Sequence, residues 1–151
     1  MKCLQQIRFL KRFPGPYAYS RGVDGVDETF DTHCVTTGNH LISTYFWEAE
    51  KLREEVSVIV TAALNRQADW HGFIPSSFPQ HWKSFRRRYP GPFAIGRDCC
   101  PGRGDFLDVY CTKSGESIIQ SYGLDTESKL IANQIVAALN SLREATLEPY
   151  G

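Results

Sequence analysis

The sequence predicts an α+β domain: two tandem α-β-β-β-α repeats about a pseudo-twofold, with one antiparallel sheet of about six strands and the helices on one face. Three observations predict it. First, landmarks recur at offsets of 75 to 77 residues. Pro14-Gly-Pro-Tyr-Ala-Tyr-Ser-Arg21 matches Pro90-Gly-Pro-Phe-Ala-Ile-Gly-Arg97 at five of eight positions, and Cys34, Gly38 and Tyr45 match Cys111, Gly115 and Tyr122. Second, the segment before each cysteine alternates apolar and polar residues with the period of a strand. Third, each copy closes in a helical run, Ala62-Ala-Leu-Asn65 and Ala137-Ala-Leu-Asn140. Self-similarity of this kind marks a duplication. The chain of 151 residues is read as one domain, with repeat 1 at about 3–66, a linker at 67–78 and repeat 2 at about 79–145.

Each element has a local reason. Trp82, Phe85 and Tyr89 fall at i, i+3 and i+7, one face of a helix. Ser77 and Pro79 suit its start. In the first copy the matching positions are Gln6, Phe9 and Phe13, a weaker face. Pro-Gly-Pro ends each helix, because proline pushes the residue before it toward extended geometry. Short strands follow at 17–21 and 93–97, then divergent loops at 22–28 and 98–104. Phe30, Thr32 and Cys34 alternate with Asp31 and His33, as Leu107, Val109 and Cys111 alternate with Asp108 and Tyr110. Thr36-Thr37-Gly38 and Lys113-Ser114-Gly115 suit hairpin turns closed by a left-handed glycine. Return strands are read at 41–45 and 118–122. In the first long helix Ala49, Leu52, Val56, Ile59, Val60 and Ala63 form a stripe, with Glu50, Arg53, Glu54 and Ser57 largely opposite. In the second, Asp125 is the expected N-cap, and Ile131, Ile135, Ala138 and Leu142 form the buried face. Trp70, Phe73, Ile74 and Phe78 make the linker apolar enough to pack.

Composition narrows the function classes. Seventeen basic and seventeen acidic residues cancel, which removes any long-range pull toward nucleic acid or anionic lipid. No apolar run reaches the length of a membrane helix. The first residues lack a signal-peptide pattern, and five cysteines are an odd number, so reduced thiols and a cytoplasmic location are expected. There is no Gly-x-Ser-x-Gly elbow, no phosphate-binding Gly-Lys loop and no His-Glu-x-x-His helix. No cofactor is implied. Cys99-Cys100, with His33, His40, His71 or His81, does not have the spaced-pair pattern of a zinc site.

Several residues have two readings. Cys34 and Cys111 are equivalent and invite a thiol-pair role, but their inward strand positions favour plain core residues. Arg21 and Arg97 are equivalent at strand ends. They suit an anion clamp, or else stacking on Tyr17 and Phe93 or pairing with Asp31 and Asp108. Lys83, Arg86, Arg87 and Arg88, interleaved with Trp82, Phe85 and Tyr89, suit a nucleic-acid contact or the solvated side of an amphipathic helix.

The hairpin Asp108-Val-Tyr-Cys-Thr-Lys-Ser-Gly-Glu-Ser-Ile-Ile, followed by Leu130-Ile-Ala-Asn-Gln-Ile-Val-Ala-Ala-Leu-Asn140, resembles small uncharacterised proteins of phages and bacterial mobile gene cassettes. That resemblance covers about 30 residues per copy and implies origin rather than activity. The element order, Gly91-Pro92 and Ala137-Ala138-Leu139 are also similar to double-stranded-RNA-binding domains. Those domains grip phosphates with a lysine cluster at the start of the last helix, where this chain carries Thr126-Glu-Ser-Lys-Leu-Ile-Ala132.

The expected function is a non-enzymatic module that binds a small molecule or a protein partner in a cleft between the copies. Trp47, Trp70, His71, Arg21 and Arg97 are its expected lining. The alternative is double-stranded-RNA-like binding through residues 82–89. A homodimer is expected, because outer strands rich in aromatics and free of lysine are poorly guarded against pairing.

Overall fold

Proline and glycine set the punctuation of the chain. The computed structural model describes residues 3–24, 27–44, 50–100, 104–122 and 125–145. Helix α1 (Leu4–Arg12) stops at Phe13, ahead of Pro14-Gly-Pro16, and leads into β1 (Tyr17–Asp24), β2 (Asp27–Cys34), β3 (His40–Thr44) and α2 (Glu50–Gln67). A 3-10 turn at His71–Phe73 connects to the second series. That series is α3 (Phe78–Arg88), β4 (Phe93–Cys100), β5 (Gly104–Cys111), β6 (Ser117–Tyr122) and α4 (Thr126–Ala145). The described residues thus form an α+β fold of four α-helices and two three-stranded antiparallel sheets, ordered β1-β2-β3 and β4-β5-β6.

Two expectations are corrected here. The single six-stranded sheet is divided in two: β3 and β6 come close, yet among the described residues each ladders only with β2 or β5. Side-chain packing of α2 against α4 joins the halves instead. The segments read as divergent loops mostly continue the hairpins, since pairing runs unbroken from Tyr17↔Cys34 to Asp24↔Asp27 and from Phe93↔Cys111 to Cys100↔Gly104. A long ladder holds residues in strand whatever their own propensity. The alternation before each cysteine is as expected. Phe30, Thr32 and Cys34 are buried, as are Leu107, Val109 and Cys111. Gly38 and Gly115 both take positive φ, 76° and 75°, and close the turns.

The helices cross between the halves. Helix α2 lies on β1, β2 and β3, and α4 on β4, β5 and β6, whereas α1 packs on α4 and α3 packs on α2. This exchange corrects the stripe expected of α2. Every residue from Glu55 to Asn65 is buried, Ser57 included, because sheet, α3 and α4 surround the helix. Val56, Val58, Ile59, Val60 and Thr61 are β-branched and poor helix formers. Burial at about 1.5–3 kcal/mol per large aliphatic side chain overrides that preference. The polar residues inside find partners. Ser57 donates to the Phe30 carbonyl at 3.1 Å, and Thr61 and Thr32 share a hydrogen bond of 3.1 Å.

One hydrogen-bond arrangement occurs in both halves. Asn65 Oδ1 accepts from the Tyr17 N–H at 2.8 Å while its Nδ2 donates to the Tyr17 carbonyl at 2.8 Å. Asn140 does the same to Phe93, at 2.8 and 3.0 Å. The Gly15 N–H donates to Cys34 Sγ at 3.4 Å and the Gly91 N–H to Cys111 Sγ at 3.2 Å. Both Gly-Pro bonds, Gly15–Pro16 and Gly91–Pro92, are cis. Each sulfur is fully buried and free. Burial resists ionisation of Cys34, but hydrogen bonds from Thr37, Gly15 and Thr36 outweigh it and hold the thiol below its usual range. Cys111 is lowered likewise, burial being outweighed by Ser114, Gly91 and Lys113. These thiols are acceptors that tie the helix-to-strand turn to the hairpin. Burial pushes the Tyr17 phenol well up, with Cys34 adding to it, and its hydroxyl donates to the Phe13 carbonyl.

Candidate functional site

Because α1 leaves its own half to pack on α4, the polar side of α1 faces the first turns of α4. A groove of about 590 Å³ opens between them. Helix α1 supplies Leu4, Gln5, Arg8, Lys11 and Arg12; α4 supplies Thr126, Leu130 and Asn133. The spacing explains the wall: residues 4, 8 and 12 lie one turn apart, with 5 and 11 flanking them. Leu130 is half-buried against the core and makes an apolar floor. Leu4, 61 % exposed, continues it to the rim. One end is closed by Arg12, whose Nη2 lies 2.9 Å from Glu127 Oε2. Both partners are well exposed, so that pair is worth at most about 1 kcal/mol. Arg8 and Lys11 have no carboxylate in salt-bridge range among the described residues.

The seam between α3 and α2 has the same helix exchange and different contents. Aligning the halves sets Trp82 at the position of Gln6, His81 at that of Gln5, and Glu55 at that of Leu130. Trp82 is 1 % exposed and stacks between Phe78 and Phe85, each ring 5.9 Å away. Glu55, 3 % exposed, lies 3.5 Å from His81 Nδ1. That seam is filled with aromatic rings and a polar pair. The α1–α4 seam has Gln6, which reaches to the Gln67 carbonyl at 3.5 Å, and an apolar floor.

The residues expected to line a cleft are dispersed. Arg21 is exposed, with its guanidinium 5.9 Å from the centre of the Phe30 ring, its cross-strand partner, rather than over Tyr17. Trp70 lies over Gly15, donates from Nε1 to the Pro14 carbonyl at 3.0 Å and meets Phe73 edge-on. His71 is exposed, its Nε2 3.5 Å from Asp69 Oδ1. Trp47 lies outside the described residues, as does the side chain of Arg97. Neither the groove nor a smaller pocket of about 300 Å³ beside Tyr19, Thr61 and Pro75 is lined by Arg21, Trp70 or His71. Trp70 instead seats the Pro-Gly-Pro turn.

On α3 the expected pattern separates into two faces. Trp82, Phe85 and Tyr89 are buried, so they are not available to stack on bases. Lys83, Arg87 and Arg88 are exposed, and Arg86 lies 5.9 Å from the centre of the Trp82 ring. Among the described residues no group of three or more His, Cys, Asp or Glu is placed to hold a metal ion, and no helix is long and apolar enough to cross a membrane.

The sequence by itself singles out none of the groove residues Arg8, Leu130 and Asn133. No local signal marks them, because the two walls come from helices at opposite ends of the chain. Comparison with protein-family models, curated proteins and solved structures finds no match to this chain.

Proposed function

We propose that this chain is a non-enzymatic binding module, two tandem α-β-β-β-α repeats related by a pseudo-twofold, that takes a small molecule or a short segment of a protein partner. The observation that carries the reading is the α1–α4 groove. Its volume of about 590 Å³ lies in the usual range for ligand sites, and such sites combine an apolar floor with a few polar groups. Among the described residues its lining holds no carboxylate, imidazole or thiol, the groups that most often carry general acid–base and thiol catalysis. The recurring Asn–strand and Gly–Cys hydrogen bonds support the pseudo-twofold. Screening by thermal shift against metabolites, anions and peptides tests the reading. A ligand at 100 times its dissociation constant adds about 2.7 kcal/mol. A hit whose shift disappears on replacing Leu130 by Gln supports the groove. Turnover of an ester, phosphate or peptide substrate that is lost on a point substitution refutes the non-enzymatic reading.

A second reading, nucleic-acid binding through Lys83, Arg86, Arg87 and Arg88, is favoured by the exposure of Lys83, Arg87 and Arg88 along α3. It predicts affinity for duplex RNA that falls steeply with salt. Absence of a gel shift at low salt removes it. A homodimer is also proposed. β1 and β4 each lie at the edge of their sheet, where an unguarded strand pairs readily. A single-chain mass by light scattering across a tenfold dilution refutes it.

A further inference from the structure

We infer that the α1–α4 groove binds a free amphiphilic carboxylate, an acyl chain ending in a single anionic head, and this rests on the binding-module reading above. Three observations converge on that chemistry. The described lining is cationic without internal compensation: Arg8, Lys11 and Arg12 all reach it, and among the described residues only Arg12 has an acid beside it and no acidic residue lines the groove. An anionic head therefore meets two cations with no acid beside them among the described residues, and Gln5 is there to donate an amide hydrogen. The floor is apolar. Leu130 and Leu4 form it, and the methylene stems of Arg8 and Arg12 extend it, as long basic side chains do when their charged ends stay wet. The groove runs along α1 from Leu4 to Arg12, about 12 Å at the rise of a helix, which suits a chain rather than a compact ion.

The opposite seam differs from this one at a lining position. There the position of Leu130 is held by Glu55, a buried carboxylate facing His81. A buried acid gives an apolar chain no matching floor. In the α1–α4 seam the acid is replaced by leucine, and Arg8 and Lys11 line the wall.

Isothermal titration with sodium decanoate below its micelle concentration tests this, beside 1-decanol and decyltrimethylammonium. Saturable binding of one decanoate per chain is expected, about tenfold tighter than decanol, the equivalent of roughly 1.4 kcal/mol, and no binding of the cationic amphiphile. The double variant Arg8→Gln, Lys11→Gln changes only exposed side chains; it should keep its circular dichroism and lose decanoate affinity about tenfold. The conservative pair Arg8→Lys, Lys11→Arg should restore it. Equal binding of decanoate and decyltrimethylammonium, or unchanged affinity in the double variant, overturns the inference. So does co-sedimentation with phosphatidylglycerol vesicles when monomeric decanoate is silent. If decanoate fails but another ligand shifts the melting temperature through Leu130, this inference falls and the binding-module reading stands. If no ligand does, both fall.

Discussion

Replacing Asn65 by alanine should be among the most damaging single changes in this chain. Asn65 is fully buried near the end of α2 and makes three hydrogen bonds, two to Tyr17 and one of 3.1 Å to the Phe73 carbonyl. Tyr17 is 1 % exposed, so without the amide its N–H and carbonyl are left without a partner where water does not reach. Each such group costs about 1–3 kcal/mol. The Phe73 carbonyl loses less, because Phe73 is exposed and water can replace the bond. The sum is about 3–5 kcal/mol, a large part of the roughly 5–15 kcal/mol that holds an ordinary domain. Among the described residues the Asn140 side chain makes only the two equivalent bonds, to Phe93, and it is half-buried. Asn140→Ala should therefore cost less, about 1.5–3 kcal/mol. Urea unfolding followed by circular dichroism measures both. A cost below about 1 kcal/mol for Asn65→Ala, or an equal or larger one for Asn140→Ala, would show that the strand start is held by something other than the amide. Asn65→Asp separates geometry from charge. A carboxylate keeps the bond from the Tyr17 N–H but repels the Tyr17 and Phe73 carbonyls. That variant should be destabilised at neutral pH and partly recover in acid, as protonation restores a donor.

Three further predictions follow from single contacts. Trp82→Ala should cost about 3–5 kcal/mol in thermal or chemical unfolding; Trp82→Phe should cost far less, because the indole N–H has no hydrogen-bond partner among the described residues and phenylalanine lacks that unpaired donor. Gly15→Ala and Gly91→Ala both place a side chain at positive φ, 86° and 75°. Gly15→Ala should be the worse by about 1 kcal/mol or more, since its Cβ would fall 2.6 Å from Trp70 Nε1, whereas the new Cβ at Gly91 meets the flexible Arg143 Cδ at 2.9 Å; equal melting temperatures would refute this. The hydrogen bond from Ser128 holds the Asp125 carboxyl below its ordinary 3.8, so its contribution is complete above that value and disappears as pH falls through the lower, folded value. Asp125→Asn should flatten the stability–pH curve below about pH 4, and an unchanged acid limb would show that the cap at 2.6 Å to the Ser128 N–H does not couple to folding.

What the sequence determined by itself was local. Pro-Gly-Pro ends α1 and α3 because proline constrains its own and the preceding residue, whatever surrounds them. Gly38 and Gly115 close the hairpins because only glycine takes that backbone without strain. Period-two alternation put Phe30, Thr32 and Cys34 inside, and aspartate before a helical run read correctly as the cap of α4. Each of these signals is complete within a few residues. The tertiary structure decided which element meets which. Ser57, Thr61 and Asn65 look like the wet side of an amphipathic helix, yet α2 turns them to the sheet, where Phe30, Thr32 and Tyr17 partner them, and buries Glu55 beside His81 of α3. The strands read as one sheet form two, since a ladder requires registered edges and periodicity within a strand carries no information about its neighbour. The groove belongs wholly to this second class. Arg8 on α1 and Leu130 on α4 share a surface only because α1 crosses to the other half. That crossing depends on how whole helix faces pack, and no short stretch of the chain encodes it.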